Sequence, residues 1–331
     1  ITPGCSGIYT EKQGDSWREV VDFVHNQSTA KIGIQVGHSG RKGSTKLMWD
    51  GIDEPLTTGG WETVSPSALA YGPSNAVPRE ITRREMEAVR DDFVTAARRA
   101  NEAGVDLLEL HCAHGDLLSS FLSPLANVRT DEFGGSLENR LRFPLEVFDA
   151  IREVWPGEKP LTVRISATDW AEGGNTEDDA LLISEAFALH GAAAIDVSTG
   201  QVTKAERPEY GRSYQTPFAD RIRNEVAAKH GVSVIAVGAI SSWDDLNSIL
   251  LAGRADMCAL GRSHLYDPRW TLHAAAEQEY VGVGALWPLQ FRAGRRKPPT
   301  SRTEAVRPRL ELVRKADAAV DLTAHVRWQP V

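Results

Sequence analysis

The chain has 331 residues, 37 Lys+Arg against 45 Asp+Glu for a net charge of -8, and a hydrophobic fraction of 41%. The acidic balance lacks the basic footprint of a nucleic-acid binder, and no apolar run is long enough to span a bilayer or opens the chain as a signal peptide. Cys5, Cys112 and Cys258 lie far apart with no CxxC, which argues against a disulfide framework or a zinc or iron–sulfur centre and fits a reducing cytoplasm.

Trp17, Val20, Val21 and Val24 share one helical face ahead of a strand at Lys31–Val36. Gly37–Arg79 is long and rich in Gly, Ser, Thr and Pro, the composition of a lid, a binding loop or a flexible linker. Thr82-Arg-Arg-Glu85 reads as a capping box for a helix that buries Met86, Val89, Phe93, Ala96 and Ala97. A strand at Val105–Leu110, a helix at Leu137 to Val154 and a strand at Leu161–Ser166 follow. Asn175-Thr176 opens the next helix, with Glu177, Asp178 and Asp179 matched to its positive end. Then come strand Ala194–Ser198, helix Phe218–Ala228, strand Val232–Val237, helix Trp243–Leu251, strand Asp256–Leu260 and helix Trp270–Glu277. Gly104, Gly191, Gly231 and Gly253 each separate a helix from the next strand, where a left-handed cap is expected. Beyond Trp287 the chain turns basic from Arg292 to Lys315, read as a surface tail at 288–331, mostly helical after Glu304.

The strands are short, rich in Val, Ile and Leu, and scarcely alternate, the pattern of parallel strands buried on both faces. About six βα units are present. A complete (β/α)8 barrel of ~250 residues uses roughly 30 per unit, so the expectation for 1–287 is a barrel sheet without its first two strands. The opening at Ile1 without a methionine suggests a truncated or excised piece. An open doubly wound sheet competes, but no Gly-x-Gly-x-x-Gly follows the first strand.

Chemistry is expected at the carboxyl ends of such strands. His111-Cys-Ala-His114-Gly-Asp116 sits there. A pair of neutral imidazoles can donate two hydrogen bonds to one substrate oxygen, whereas a lone histidine is more often a satisfied core residue. Gln35 suits a heterocycle edge because it donates and accepts; its bland role is to satisfy a turn. Arg164 within an apolar strand needs a partner, either an anionic cofactor or a carboxylate such as Glu109. Asp196, Ser198 and Thr199 contact substrate or merely cap their strand. Gly238 and Gly261, with Arg262 as counter-charge, form two glycine turns of the kind that bind phosphate after the last barrel strands.

Gln35-Val-Gly-His-Ser-Gly-Arg41, Glu109-Leu-His-Cys-Ala-His-Gly115, Phe121-Leu-Ser-Pro through Asn139-Arg140, Val163-Arg-Ile-Ser166, Val237-Gly-Ala-Ile240 and Ala259-Leu-Gly-Arg-Ser-His-Leu-Tyr-Asp-Pro268 together resemble the old yellow enzyme family of FMN-dependent oxidoreductases. The resemblance implies a (β/α)8 TIM barrel, FMN, and NADH or NADPH as reductant. It assigns Gln35 to the pyrimidine edge of the flavin, Arg164 to N1 and the C2 oxygen, and Gly238, Gly261 and Arg262 to the phosphate. It gives His111 and His114 the carbonyl oxygen of an α,β-unsaturated substrate, with hydride passing from flavin N5 to the β-carbon. Asp116 stands where the family usually has a tyrosine proton donor, and can replace it only if burial raises its pKa.

Asp169-Trp-Ala-Glu-Gly-Gly174 and Trp270-Thr-Leu-His-Ala-Ala-Ala-Glu277 further resemble the reductase half of fused flavin monooxygenase–reductases acting on aminobenzoyl-CoA or salicylyl-CoA. The resemblance therefore implies a small-molecule acceptor, an enone or an aromatic acyl-CoA, and leaves room for a homo-oligomer or a fused or partner monooxygenase domain. Two alternatives compete: a degenerate flavin-binding or scaffolding domain, and a metal-dependent barrel hydrolase built on His38, His111, His114 and Asp196. The hydrolase lacks HxH or HExxH ligand spacing and would set Arg164 and Arg262 against a cation.

Overall fold

The computed structural model describes residues 1–282 and 284–294. Helix α1 (Glu11–Gln27) starts from a Thr10 capping box and leads to strand β1 (Gly33–Val36). The long segment after β1 holds a short helix α2 (Met48–Gly51) and two short strands, β2 (Val64–Ser65) and β3 (Arg79–Glu80), paired in parallel. Helix α3 (Arg83–Glu102), strand β4 (Leu107–Cys112), helices α4 (Leu117–Leu122) and α5 (Leu137–Val154), and strand β5 (Leu161–Ser166) follow. Next are α6 (Glu177–Leu189), β6 (Ala194–Ser198), α7 (Thr216–Ile222), α8 (Ala228–His230), β7 (Ser233–Val237), α9 (Trp243–Leu251), β8 (Met257–Ala259), α10 (Arg262–Tyr266) and α11 (Trp270–Glu277).

β1-β4-β5-β6-β7-β8 form one sheet, every neighbouring pair parallel. This is the parallel β/α sheet of the expected barrel, with six strands among the described residues and β1 and β8 as its two edges. The chain divides into two units: Ile1–Ile240 with Asp244–Ala259, which contains the whole sheet, and Ser241–Trp243 with the residues from Leu260 onward.

The register separates the strands' two faces. Leu108, Leu110, Val163, Ile165, Ile195, Val197, Val234 and Ala236 face the helices and are fully buried. The other face carries Gln35, Glu109, His111, Thr162, Arg164, Ser166, Asp196 and Ser198. Burial on both sides is thus real for β5 and β6, but their second side is polar, which the apolar composition of the strands concealed.

The capping boxes read at Thr82 and Thr176 both form, and Gly104, Gly191, Gly231 and Gly253 all take left-handed φ values at helix ends. Two readings change. Val20 is 45% exposed while Val21 is buried, so the first helix buries a narrower stripe. The single helix expected over Phe218–Ala228 is interrupted by a π-helical turn at Arg223–Ala227. The helix read after Glu304 and most of the basic tail lie outside the described residues.

The segment Gly37–Arg79 is tied down. Arg41 is buried and donates to the carbonyls of Leu69, Ala70 and Val202. Burial lowers its pKa to about 10. Met48, Trp49 and Val77 turn strongly outward, Trp49 at 80% exposure.

Candidate active site

His111 is the penultimate residue of β4, and its register neighbour across the sheet is Arg164, whose neighbour in turn is Asp196. One row below, Gln35 lies beside Glu109 and Glu109 beside Thr162. Two rows of polar side chains therefore cross three strands on one face. Gln35 Nε2 donates to Glu109 Oε1 at 2.8 Å, and Thr162 Oγ1 to Glu109 Oε2 at 3.0 Å.

Arg164 is not paired with Glu109, one of the two kinds of partner its sequence position left open. Its Nε lies 3.5 Å from Asp196 Oδ2, too long for a strong bond, and has no hydrogen-bond partner. The register explains this: Asp196 is opposite Arg164, whereas Glu109 is one row away and held by Gln35 and Thr162. Burial, opposed by Arg164 and reinforced by Glu109, pushes the Asp196 carboxyl up to about 7.

The turn after β4 positions the second imidazole. His114 is held at φ 63, a left-handed conformation costly for a residue with a Cβ. Three contacts hold it there. Its N–H donates to Ser166 Oγ at 2.9 Å, its carbonyl accepts from Lys42 Nζ at 2.8 Å, and its Nε2 meets Ser198 Oγ at 2.7 Å. Gly115 next to it has φ 73, and a Cβ there would lie 2.6 Å from the Gln201 carbonyl oxygen. Burial, together with the charges of His111, Arg164 and Lys42, holds the His114 imidazole well below its ordinary pKa, so the ring is neutral.

The two imidazole rings are 5.2 Å apart at 54°. Nδ1 of His111 is buried without a hydrogen-bond partner, and among the described residues no protein atom bonds Nδ1 of His114. Asp116 is the N-cap residue of α4 and is buried. Its Oδ2 faces His111 Nε2 at 3.3 Å, and its Oδ1 has no partner. The site is thus two imidazoles, each with an uncommitted nitrogen, beside a guanidinium and a buried carboxyl group.

His38 is a structural residue: its Nδ1 accepts from the Gly40 N–H at 3.0 Å, and burial lowers its pKa. Among the described residues no three His, Cys, Asp or Glu side chains converge on a metal position. Ser166, Lys42 and Gln215 are the site residues that sequence reasoning did not single out. Lys42 directly follows Arg41 in the quoted motif, and a lysine in so small-residue a segment was the available signal.

Gly238 follows β7 with φ 110, and a Cβ there would lie 2.2 Å from Gln215 Nε2. Only glycine fits. Gly261, in the second unit, precedes α10 with φ -97 and open space around its Cβ position, so its turn does not require glycine. Arg262 is the exposed first residue of α10.

Three features suit FMN: an unpartnered Arg164 Nε on the polar face, a Gln35 amide on the same face with its oxygen open, and a side-chain-free turn at Gly238. They fit a flat, acceptor-rich ring with an anionic tail. The model of the NADH:flavin oxidoreductase / NADH oxidase family matches residues 1–280. An NADPH dehydrogenase of Geobacillus sp. (strain WCH70) is 42% identical over 288 residues, 87% of this chain and 77% of that protein. Morphinone reductase in complex with tetrahydroNAD superposes with a TM-score of 0.64 at 28% identity, covering 83% of this chain and 76% of that one. A 2-naphthoyl-CoA reductase–2-naphthoyl-CoA complex superposes at 0.70 and 26% identity, but this chain spans only 42% of it. No helix among the described residues is long and apolar enough to cross a membrane. With matched motifs, parallel sheet and site in agreement, the chain belongs to the NADH:flavin oxidoreductase / NADH oxidase family, the old yellow enzymes, and is an FMN-dependent NAD(P)H oxidoreductase.

Proposed function

We propose that His111 and His114 bind the carbonyl oxygen of an activated C=C substrate and draw electron density from its β-carbon, where hydride arrives. FMN, held on the polar face of the sheet, would supply the hydride chemistry that links NAD(P)H to the substrate. The observation that carries this reading is the pair of imidazoles with both Nδ1 atoms unpartnered, one of them on a strained residue fixed at three points. Arg164 and Gln35 would hold the pyrimidine edge of the flavin, and the Arg164 charge would favour its electron-rich reduced form. Gly238, Gly261 and Arg262 keep the phosphate assignment that the resemblance gives them. Asp116 takes the acid role through Oδ1, the oxygen that His111 does not face.

An aromatic acyl-CoA is the favoured acceptor. The motif resemblance to acyl-CoA monooxygenase–reductases and the structural likeness to a protein bound to 2-naphthoyl-CoA support it. The motif resemblance by itself favours a fused or partner monooxygenase domain as the context, with a homo-oligomer as the other. The oxidoreductase domain is taken as 1–287 with a basic tail at 288–331. Free thiols at Cys5, Cys112 and Cys258 support a cytoplasmic location.

The test is stopped-flow kinetics of the separate half-reactions. His111→Ala or His114→Ala should slow reoxidation of the reduced enzyme by acceptor about a hundredfold, since one lost donor to a developing oxyanion costs ~3 kcal/mol. Reduction by NAD(P)H should change far less. Equal slowing of both half-reactions would refute the assignment.

A further inference from the structure

His114 can serve as a donor to substrate only if its single proton is on Nδ1. We infer that Ser198 is the positioning residue that sets this tautomer, by donating its hydroxyl hydrogen to His114 Nε2. The inference rests on the reading of His114 as an oxyanion donor.

Ser198 Oγ has two neighbours to which it can donate: His114 Nε2 at 2.7 Å and Gln215 Oε1 at 3.3 Å. One hydroxyl has one hydrogen, so the network decides between them. Gln215 is fixed in orientation, because its Nε2 donates to the Val237 carbonyl at 2.9 Å and must therefore be the amide nitrogen. Its Oε1 also receives the Thr199 hydroxyl at 2.7 Å, so the 3.3 Å contact from Ser198 is the longer and weaker of the two on that oxygen. Giving the hydrogen to His114 Nε2 at 2.7 Å is the arrangement that leaves Nδ1 protonated and facing the substrate. Nε2 is then an acceptor, and a neutral ring with an accepting Nε2 carries its proton on Nδ1.

The alternative leaves Nδ1 as a lone pair facing the carbonyl oxygen, which is repulsive. A doubly protonated ring is disfavoured by burial and by the cations around it. Backbone contacts cannot make the choice, because Ser166 and Lys42 hold the main chain of His114 and not its ring. Ser198 sits at the end of β6, two strands from β4, and touches His114 through a contact 84 residues apart in sequence.

The experiment is nitrogen-15 NMR of the full chain with labelled histidine, in which His114→Gln assigns the His114 signals by their loss. The parent should hold the proton on Nδ1. Ser198→Ala should lower the ratio of Nδ1–H to Nε2–H at His114 about tenfold, the loss of one ordinary hydrogen bond. Ser198→Thr, which keeps the hydroxyl, should restore it. A parent protonated on Nε2, or a Ser198→Ala ratio equal to the parent's, overturns the inference. If Ser198→Ala does not fold, the parent and Ser198→Thr spectra decide alone, since either one protonated on Nε2 refutes it. Failure of the underlying reading has a different signature: His114→Ala would then reoxidise with acceptor at the parent rate whatever the tautomer.

Discussion

Replacing Lys42 with methionine should separate site geometry from stability. The lysine is buried, and its Nζ donates to the carbonyls of His114 at 2.8 Å and Gln201 at 3.3 Å, under the ring of Tyr71 at 4.5 Å. A hydrogen bond from a charged donor is worth about 1.5–3 kcal/mol. The left-handed φ of His114 works against its own conformation by about 1–2 kcal/mol, so the loop depends on such contacts. Ser166 and Ser198 remain in the variant and retain part of the hold. A net loss of about 1.4 kcal/mol in the productive conformation corresponds to a tenfold slower acceptor half-reaction. Global stability should move by no more than about 1 kcal/mol. Methionine fills a similar volume, and burial, which lowers the lysine's pKa, also makes its charge costly to keep. Stopped-flow reoxidation and urea unfolding of the same preparation measure the two effects. Reoxidation within twofold of the parent, with an intact fold, would show that Lys42 does not hold His114 in place.

Gly238→Ala should weaken FMN binding to the apoprotein at least tenfold, because the new methyl displaces Gln215, whereas Gly261→Ala should change it less than threefold; fluorescence titration with FMN gives both, and equal effects would contradict the turn argument. Asp116→Asn should slow enone reduction and Asp116→Tyr preserve or improve it if Oδ1 supplies the proton; if neither variant changes the oxidative half-reaction, Asp116 is only a loop residue. Burial raises the Asp196 carboxyl in the folded state from the ordinary carboxylate range to about 7, so its contribution to stability is full below the ordinary value and is lost as pH rises through the raised one. Melting of the parent should therefore fall more steeply between about pH 4 and pH 7 than melting of Asp196→Asn; parallel curves would exclude a raised Asp196.

The elements of this protein are largely local matters, and the sequence carries them. Leu161–Ser166, Ala194–Ser198 and Leu137–Val154 form over the residues at which the apolar pattern places them. Thr82 and Thr176 cap helices because a hydroxyl and a carboxylate three residues apart satisfy free N–H groups within one turn. Arg164 was legible as a candidate because a polar residue in an apolar strand needs a reason, Gln35 because it donates and accepts, and His111 and His114 because they form a pair at a strand end ahead of a polar loop. What each of them touches was not legible. Register, a property of paired strands, set Arg164 against Asp196 instead of Glu109. The three holds on His114 come from residues 52, 72 and 84 positions away. A hydrogen bond depends on the separation of its atoms in space, and nothing in the order of residues encodes that distance until the sheet has brought its strand ends together.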